Sequence, residues 1–142
     1  MLLLVSTCMK QLSIIVLIAF IFISCKKDNA ALVRKELAGE WEYVTISGYP
    51  FSNPVLPPGN GIIIVFGENG NFERRNHDTL VFKGNYRLHE RKDCSGDEKK
   101  TFLDTNDSMF VKDDYVNIRD GRLHISTPNC YQDGGTAIYR RL

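Results

Sequence analysis

The chain has 142 residues, with 18 lysines and arginines against 17 aspartates and glutamates and a formal net charge of +1. That length sets an expectation of one domain. The near-neutral balance excludes the basic footprint on which nucleic-acid binding depends.

The first residues do not read as part of a fold. Residues 1–24 carry no acidic side chain and one cation, Lys10, followed by an apolar run over 12–23 broken only by Ser13. A cation followed by about a dozen apolar residues is the pattern of a cleaved secretory leader, whereas a membrane-spanning helix needs about 20. The run ends in Phe22-Ile23-Ser24-Cys25, which resembles the lipobox of bacterial lipoproteins, with Phe22 where leucine is usual. The resemblance implies that Cys25 is acylated and becomes the new N-terminus; the alternative is an ordinary cysteine in a core helix. Lys26 stands where an aspartate often signals inner-membrane retention, so the resemblance further implies the outer membrane, facing the periplasm or the cell surface. Met9-Lys10-Gln11 also reads as a natural start, in which case Cys8 carries no function. The expected organisation is a signal peptide over 1–24, a lipidated cysteine and tether over 25–29, and a domain over 30–142. Removing the leader takes away Lys10 and leaves the domain with no net charge, so membrane attachment has to come from the lipid. Stable anchoring takes at least two acyl chains, each buried methylene contributing about 0.8 kcal/mol.

Two cysteines remain, Cys94 and Cys130, both in polar stretches. An exported domain meets an oxidising compartment, and the chain has no Cys-x-x-Cys pair, so a Cys94–Cys130 disulfide is expected. Two free thiols or half of a metal site are the alternatives.

After the tether, residues 30–39 read as a brief helix that Asn29 can cap and Gly39 can end. Beyond Gly39 the period changes to two. Leu80, Phe82, Tyr86 and Leu88 alternate with Lys83, Asn85, Arg87 and His89, which predicts a strand with one buried and one wet face. Asn69-Gly70 and Asp120-Gly121 are hairpin signals. Eight strands are predicted, over 41–47, 62–66, 71–75, 80–89, 101–105, 109 with 115–118, 123–126, and 136–141. Short strands joined by tight turns argue for an antiparallel meander, closed on itself or folded as a sandwich. Residues 49–61 hold Pro50, Pro54, Pro57 and Pro58 and are expected to form a long surface loop at one rim.

Gly39-Glu40-Trp41 at the first strand and Tyr139-Arg140-Arg141-Leu142 at the last resemble the lipocalin signature, a Gly-x-Trp paired with a late arginine that packs over the indole. With Leu37, Gly84-x-Tyr86, Asp120-Gly121-x-Leu123 and Asp133-Gly134 in the same order, nearly the whole domain is similar to the small lipocalin-like lipoproteins of Gram-negative bacteria. The resemblance implies an all-β, eight-stranded up-and-down barrel behind a short N-terminal helix, with Trp41 and Arg141 as a structural pair closing one end. Eight strands enclose an interior that side chains fill or that holds one small ligand.

Catalytic chemistry is not expected. His77, His89 and His124 stand singly and read as solvated, with no metal site and no cofactor. The acidic run 104–108 begins like a calcium loop, but Met109 replaces the glycine and Tyr115 the bidentate glutamate. No Gly-x-Ser-x-Gly elbow or phosphate-cradling loop occurs. Two readings follow for a monomeric, non-enzymatic domain. In one, the barrel mouth takes a small apolar or amphipathic molecule, and Phe66, Phe72, Phe82, Tyr86 and Phe102 are the candidate lining, unless they simply fill the interior. In the other, the barrel is a solid scaffold and the proline-rich loop presents Tyr49, Phe51 and Val55 to a partner.

Overall fold

The computed structural model describes residues 29–48, 51–94, 96–110, 113–128, 130–131 and 134–142. The leader, Cys25 and the tether to residue 28 lie outside the described residues, as does Tyr49.

One helix, α1 (Asn29–Leu37), precedes nine strands: β1 (Gly39–Gly48), β2 (Phe51–Ser52), β3 (Ile62–Phe66), β4 (Asn71–Asn76), β5 (Thr79–Lys92), β6 (Lys99–Thr105), β7 (Tyr115–Arg119), β8 (Arg122–Ser126) and β9 (Thr136–Arg141). β1 and β3 to β9 pair in sequence order, each antiparallel to the next, and β9 returns to pair with β1. The result is a closed eight-stranded antiparallel barrel, which removes the exposed edges an open sheet would carry. β2 is a two-residue addition to the end of β1, pairing Gly48 with Phe51 and Ser47 with Ser52.

Local chemistry explains the joints. Gly39, at φ +130°, turns the chain from α1 into β1. Asp120 and Gly121 both adopt positive φ, 52° and 68°, the conformation a two-residue hairpin with matching twist requires. A bulge at Val44, between the Tyr43–Tyr139 and Thr45–Ile138 pairs, shifts the parity of β1, so that Trp41, Tyr43 and Ile46 all face inward.

Several expectations need correction. Met109 belongs to no strand; it sits in the turn between β6 and β7. Leu80 is not on a buried face. A bulge opposite Arg74 and Arg75 breaks the alternation of β5 there, and Leu80 is 51% exposed. His124 is not solvated but 8% exposed; the Arg119 side chain lies against its ring, with Nε 3.3 Å from Nε2. The proline-rich segment is a surface loop that starts at one rim, where Asn53 N–H donates to Ile46 O, but it does not stand free of the barrel. It folds back along the outside of β1, where Leu56 N–H donates to Val44 O at 2.8 Å and Asn60 Nδ2 to Tyr43 O at 2.8 Å. Glu42, buried beneath it, accepts from Gly59 N at 3.1 Å and Gly61 N at 3.3 Å and pairs with Arg140 Nε at 3.2 Å. Arg140 Nη2 in turn reaches Leu56 O at 2.6 Å.

Candidate functional site

The two ends of the barrel differ. At one end α1 folds across the opening and buries Leu37 in the core with Trp41, Phe66, Tyr86, Leu88 and Leu123. Trp41 Nε1 donates to Leu37 O at 2.7 Å, so the indole satisfies its one polar group while its ring is wholly buried. The Arg141 guanidinium carbon lies 4.3 Å from the centre of the Trp41 ring. Its Nη1 donates to Ala38 O at 3.0 Å and its Nη2 to Glu36 O. A cation there meets carbonyls that the end of α1 leaves without helical partners.

Just inside this end, Phe66 packs on Phe72 and edge-on against Tyr86, each at 5.1 Å between ring centres, and Phe72 meets Phe82 at 6.0 Å. Tyr86 Oη donates to Gly67 O at 2.9 Å, and burial raises its phenol above the ordinary range. These four aromatics fill the barrel rather than line an opening. Phe102 is different: it is cross-strand from His89 and Tyr115, on the face opposite Leu88 and Leu103, and so lies outside the barrel wall. It is nonetheless fully buried, stacked by His89 at 5.8 Å and covered by the Arg91 guanidinium 3.7 Å from its ring centre. Asp113 holds Arg91 in place and accepts from Tyr131 Oη at 2.5 Å. The same outer layer contains Cys94, after β5, and Cys130, between β8 and β9. Their Cα atoms are 6.1 Å apart, inside the roughly 4.4–6.8 Å a disulfide spans.

Among the described residues the opposite end is open. A cavity of about 600 Å³ lies in this mouth. Its wall is built from inward residues of β1, β3, β8 and β9, namely Tyr43, Ile46, Ile62, Ile125, Ala137 and Tyr139, with Met109 and Phe110 reaching in from the β6–β7 turn. Asp114 and Thr127 supply polar atoms at the rim, where Thr127 Oγ1 donates to Asp114 Oδ1 at 2.7 Å.

The β6–β7 turn is fastened from inside the barrel. Arg74, inward on β4, donates through Nε and Nη2 to the two oxygens of Asp107 at 2.8 and 3.2 Å, and Asp107 Oδ1 also accepts from Met109 N at 3.0 Å. Burial alone would push this carboxyl up; the hydrogen bonds from Arg74 and Met109 and the guanidinium charge outweigh it and hold the carboxyl below its ordinary range. Phe110 then packs edge-on against Phe72 at 5.5 Å, which places it and Met109 over the cavity. Among the described residues no group of three or more His, Cys, Asp or Glu is placed to hold a metal ion.

None of the five aromatics singled out from the sequence lines the cavity. The residues that do were missed, although one signal was present: inward parity along β9, read back from Arg141, gives Tyr139 and Ala137. The fold and the mouth together define a closed eight-stranded antiparallel barrel, plugged by a helix at one end and hollow at the other. No family model, curated protein or solved structure matches this chain.

Proposed function

We propose that this chain is an envelope lipoprotein, held to the outer membrane through an acylated Cys25, whose lipocalin-like barrel takes a small apolar or amphipathic molecule into its mouth without catalysing a reaction. The observation that carries the ligand reading is the mouth cavity. Its volume of about 600 Å³ falls within the roughly 300–1,000 Å³ of small-molecule sites, and a mostly apolar wall with a few polar atoms is the usual composition of such sites. The anchor rests on the Phe22-Ile23-Ser24-Cys25 sequence and the apolar run before it.

The exposure of Val55, at 71%, favours the alternative of a partner-binding loop. Against it stand the bonds from Leu56, Gly59, Asn60 and Gly61 that tie this segment to β1.

The test is mass spectrometry of the full chain purified from its native envelope, beside an Ala137→Phe variant that fills the mouth. A small molecule that accompanies the parent and is lost from the variant is expected; a parent carrying nothing, or a molecule retained by the variant, would refute mouth binding. In the same preparation Cys25→Ala is expected to move the protein into the soluble fraction. A variant still membrane-bound after a high-salt wash would refute the anchor.

A further inference from the structure

We propose that the mouth selects an amphipathic ligand with an uncharged head, whose tail occupies the cavity and whose ester carbonyl or hydroxyl oxygen accepts a hydrogen bond from Tyr139 Oη. This deepens the ligand-binding reading above and rests on it.

The first observation is Tyr139 itself. It lines the cavity, is wholly buried, and its Oη has no hydrogen-bond partner among the described residues. A buried hydroxyl in that state lowers the stability of the fold, and a phenylalanine would supply the same ring to the core, against Tyr43 at 5.6 Å. A hydroxyl kept at this place is accounted for by a partner that arrives with the ligand. Burial, followed by the nearby Tyr43 and Asp114, pushes the phenol far above its ordinary range, so it acts as a proton donor throughout the physiological range.

The second observation concerns charge. Among the described residues that line the cavity there is no lysine, arginine or histidine. Arg74, deeper in the barrel, already spends two N–H groups on Asp107. An anionic head would lose its hydration without gaining a counter-charge, and it would meet the Asp114 carboxyl on the same wall. A free fatty acid is therefore disfavoured, and an acyl ester or a long-chain alcohol is the better fit.

The experiment is calorimetric titration of the full chain in lipid nanodiscs, with empty nanodiscs as the blank and three probes that share one tail: 1-monooctanoylglycerol, octanoate and octylammonium. The monoglyceride is expected to bind at least about tenfold more tightly than octanoate. Tyr139→Phe is expected to weaken the monoglyceride about three- to tenfold, the net effect of one neutral hydrogen bond, to leave octanoate unchanged, and to melt no lower than the parent. Octanoate or octylammonium binding as tightly as the monoglyceride, or an unchanged affinity in Tyr139→Phe, would overturn the head-group assignment while leaving mouth binding in place. Absence of binding by all three probes would overturn both. Should Tyr139→Phe not fold, the ranking of the three probes on the parent chain still decides the matter.

Discussion

Trp41 and Arg141 meet at the closed end, and a double-mutant cycle can measure how strongly. Trp41→Ala removes a wholly buried indole and its hydrogen bond to Leu37 O, an excision that costs about 3–5 kcal/mol in a packed core. Arg141 is exposed, so solvent screens its charge. Its loss removes the contact over the indole, worth about 0.5–2 kcal/mol, together with partly screened bonds to Glu36 O and Ala38 O; about 1–2 kcal/mol in all is a reasonable total. The part of that loss belonging to the ring contact disappears when the ring is already gone. The double variant is therefore expected to fall short of the sum of the singles by about 0.5–2 kcal/mol. Guanidinium melts of residues 26–142, followed by far-ultraviolet circular dichroism because Trp41 is the only tryptophan, give the four stabilities required. Additivity to within about 0.3 kcal/mol would refute the coupling and the role given to this pair.

Asp107 is held below its ordinary carboxyl range, so its contribution to stability is complete above the unfolded value near 3.8 and is lost as pH falls through the folded value. Asp107→Asn is expected to flatten the acid limb of a stability–pH curve below about pH 4; an unchanged limb would refute the Arg74–Asp107 account. His124 is lowered from 6.5, by burial first and then by Arg119 and Arg122. The unfolded chain then takes up a proton more readily than the folded one, and stability falls as pH drops below about 6.5. His124→Gln is expected to remove that decline between pH 7.5 and 5.5 in thermal melts, and equal slopes for variant and parent would count against it. Cys94 and Cys130 are expected to resist alkylation in the unreduced protein, and Cys94→Ser with Cys130→Ser to cost about 4 kcal/mol, from the closure of a loop of 36-residue separation; two thiols titrating without reductant would refute the bond.

Turn signals and alternation were enough to read most of this fold. The strands at 62–66, 123–126 and 136–141 stand in the structure where the stretches between turns put them, and within 123–126 Leu123 and Ile125 alternate with His124 and Ser126, because a strand paired in a barrel turns one face to the core. The pattern misleads where the ladder is irregular. The β5 bulge turns Leu80 out to solvent, and nothing in the local sequence marks an extra residue. It also misleads where the outer face is covered: Phe102 looks like core because it is large and apolar, yet a second layer of Arg91, His89 and Tyr115 buries it on the wrong side of the wall. The mouth was legible only in part. Tyr139 and Ala137 follow from parity, but the pinning of the β6–β7 turn by Arg74 depends on a contact between residues 33 apart, which no short-range pattern encodes.

The seam of the barrel joins the first strand to the last, from Trp41 opposite Arg141 to Ser47 opposite Thr136. Every other ladder of the barrel joins strands that are neighbours in the sequence, but this one waits for β9. Until residues 136–141 are made and delivered, β1 and β8 each present an unpaired edge, and Trp41 lacks its cation. Closure thus resembles a latch that only the last of the eight strands can throw. Contacts of such long sequence separation slow folding, and the interval before them is when unpaired strands are most exposed to aggregation. Loss of β9 alone would damage this molecule far more than its 6 residues suggest.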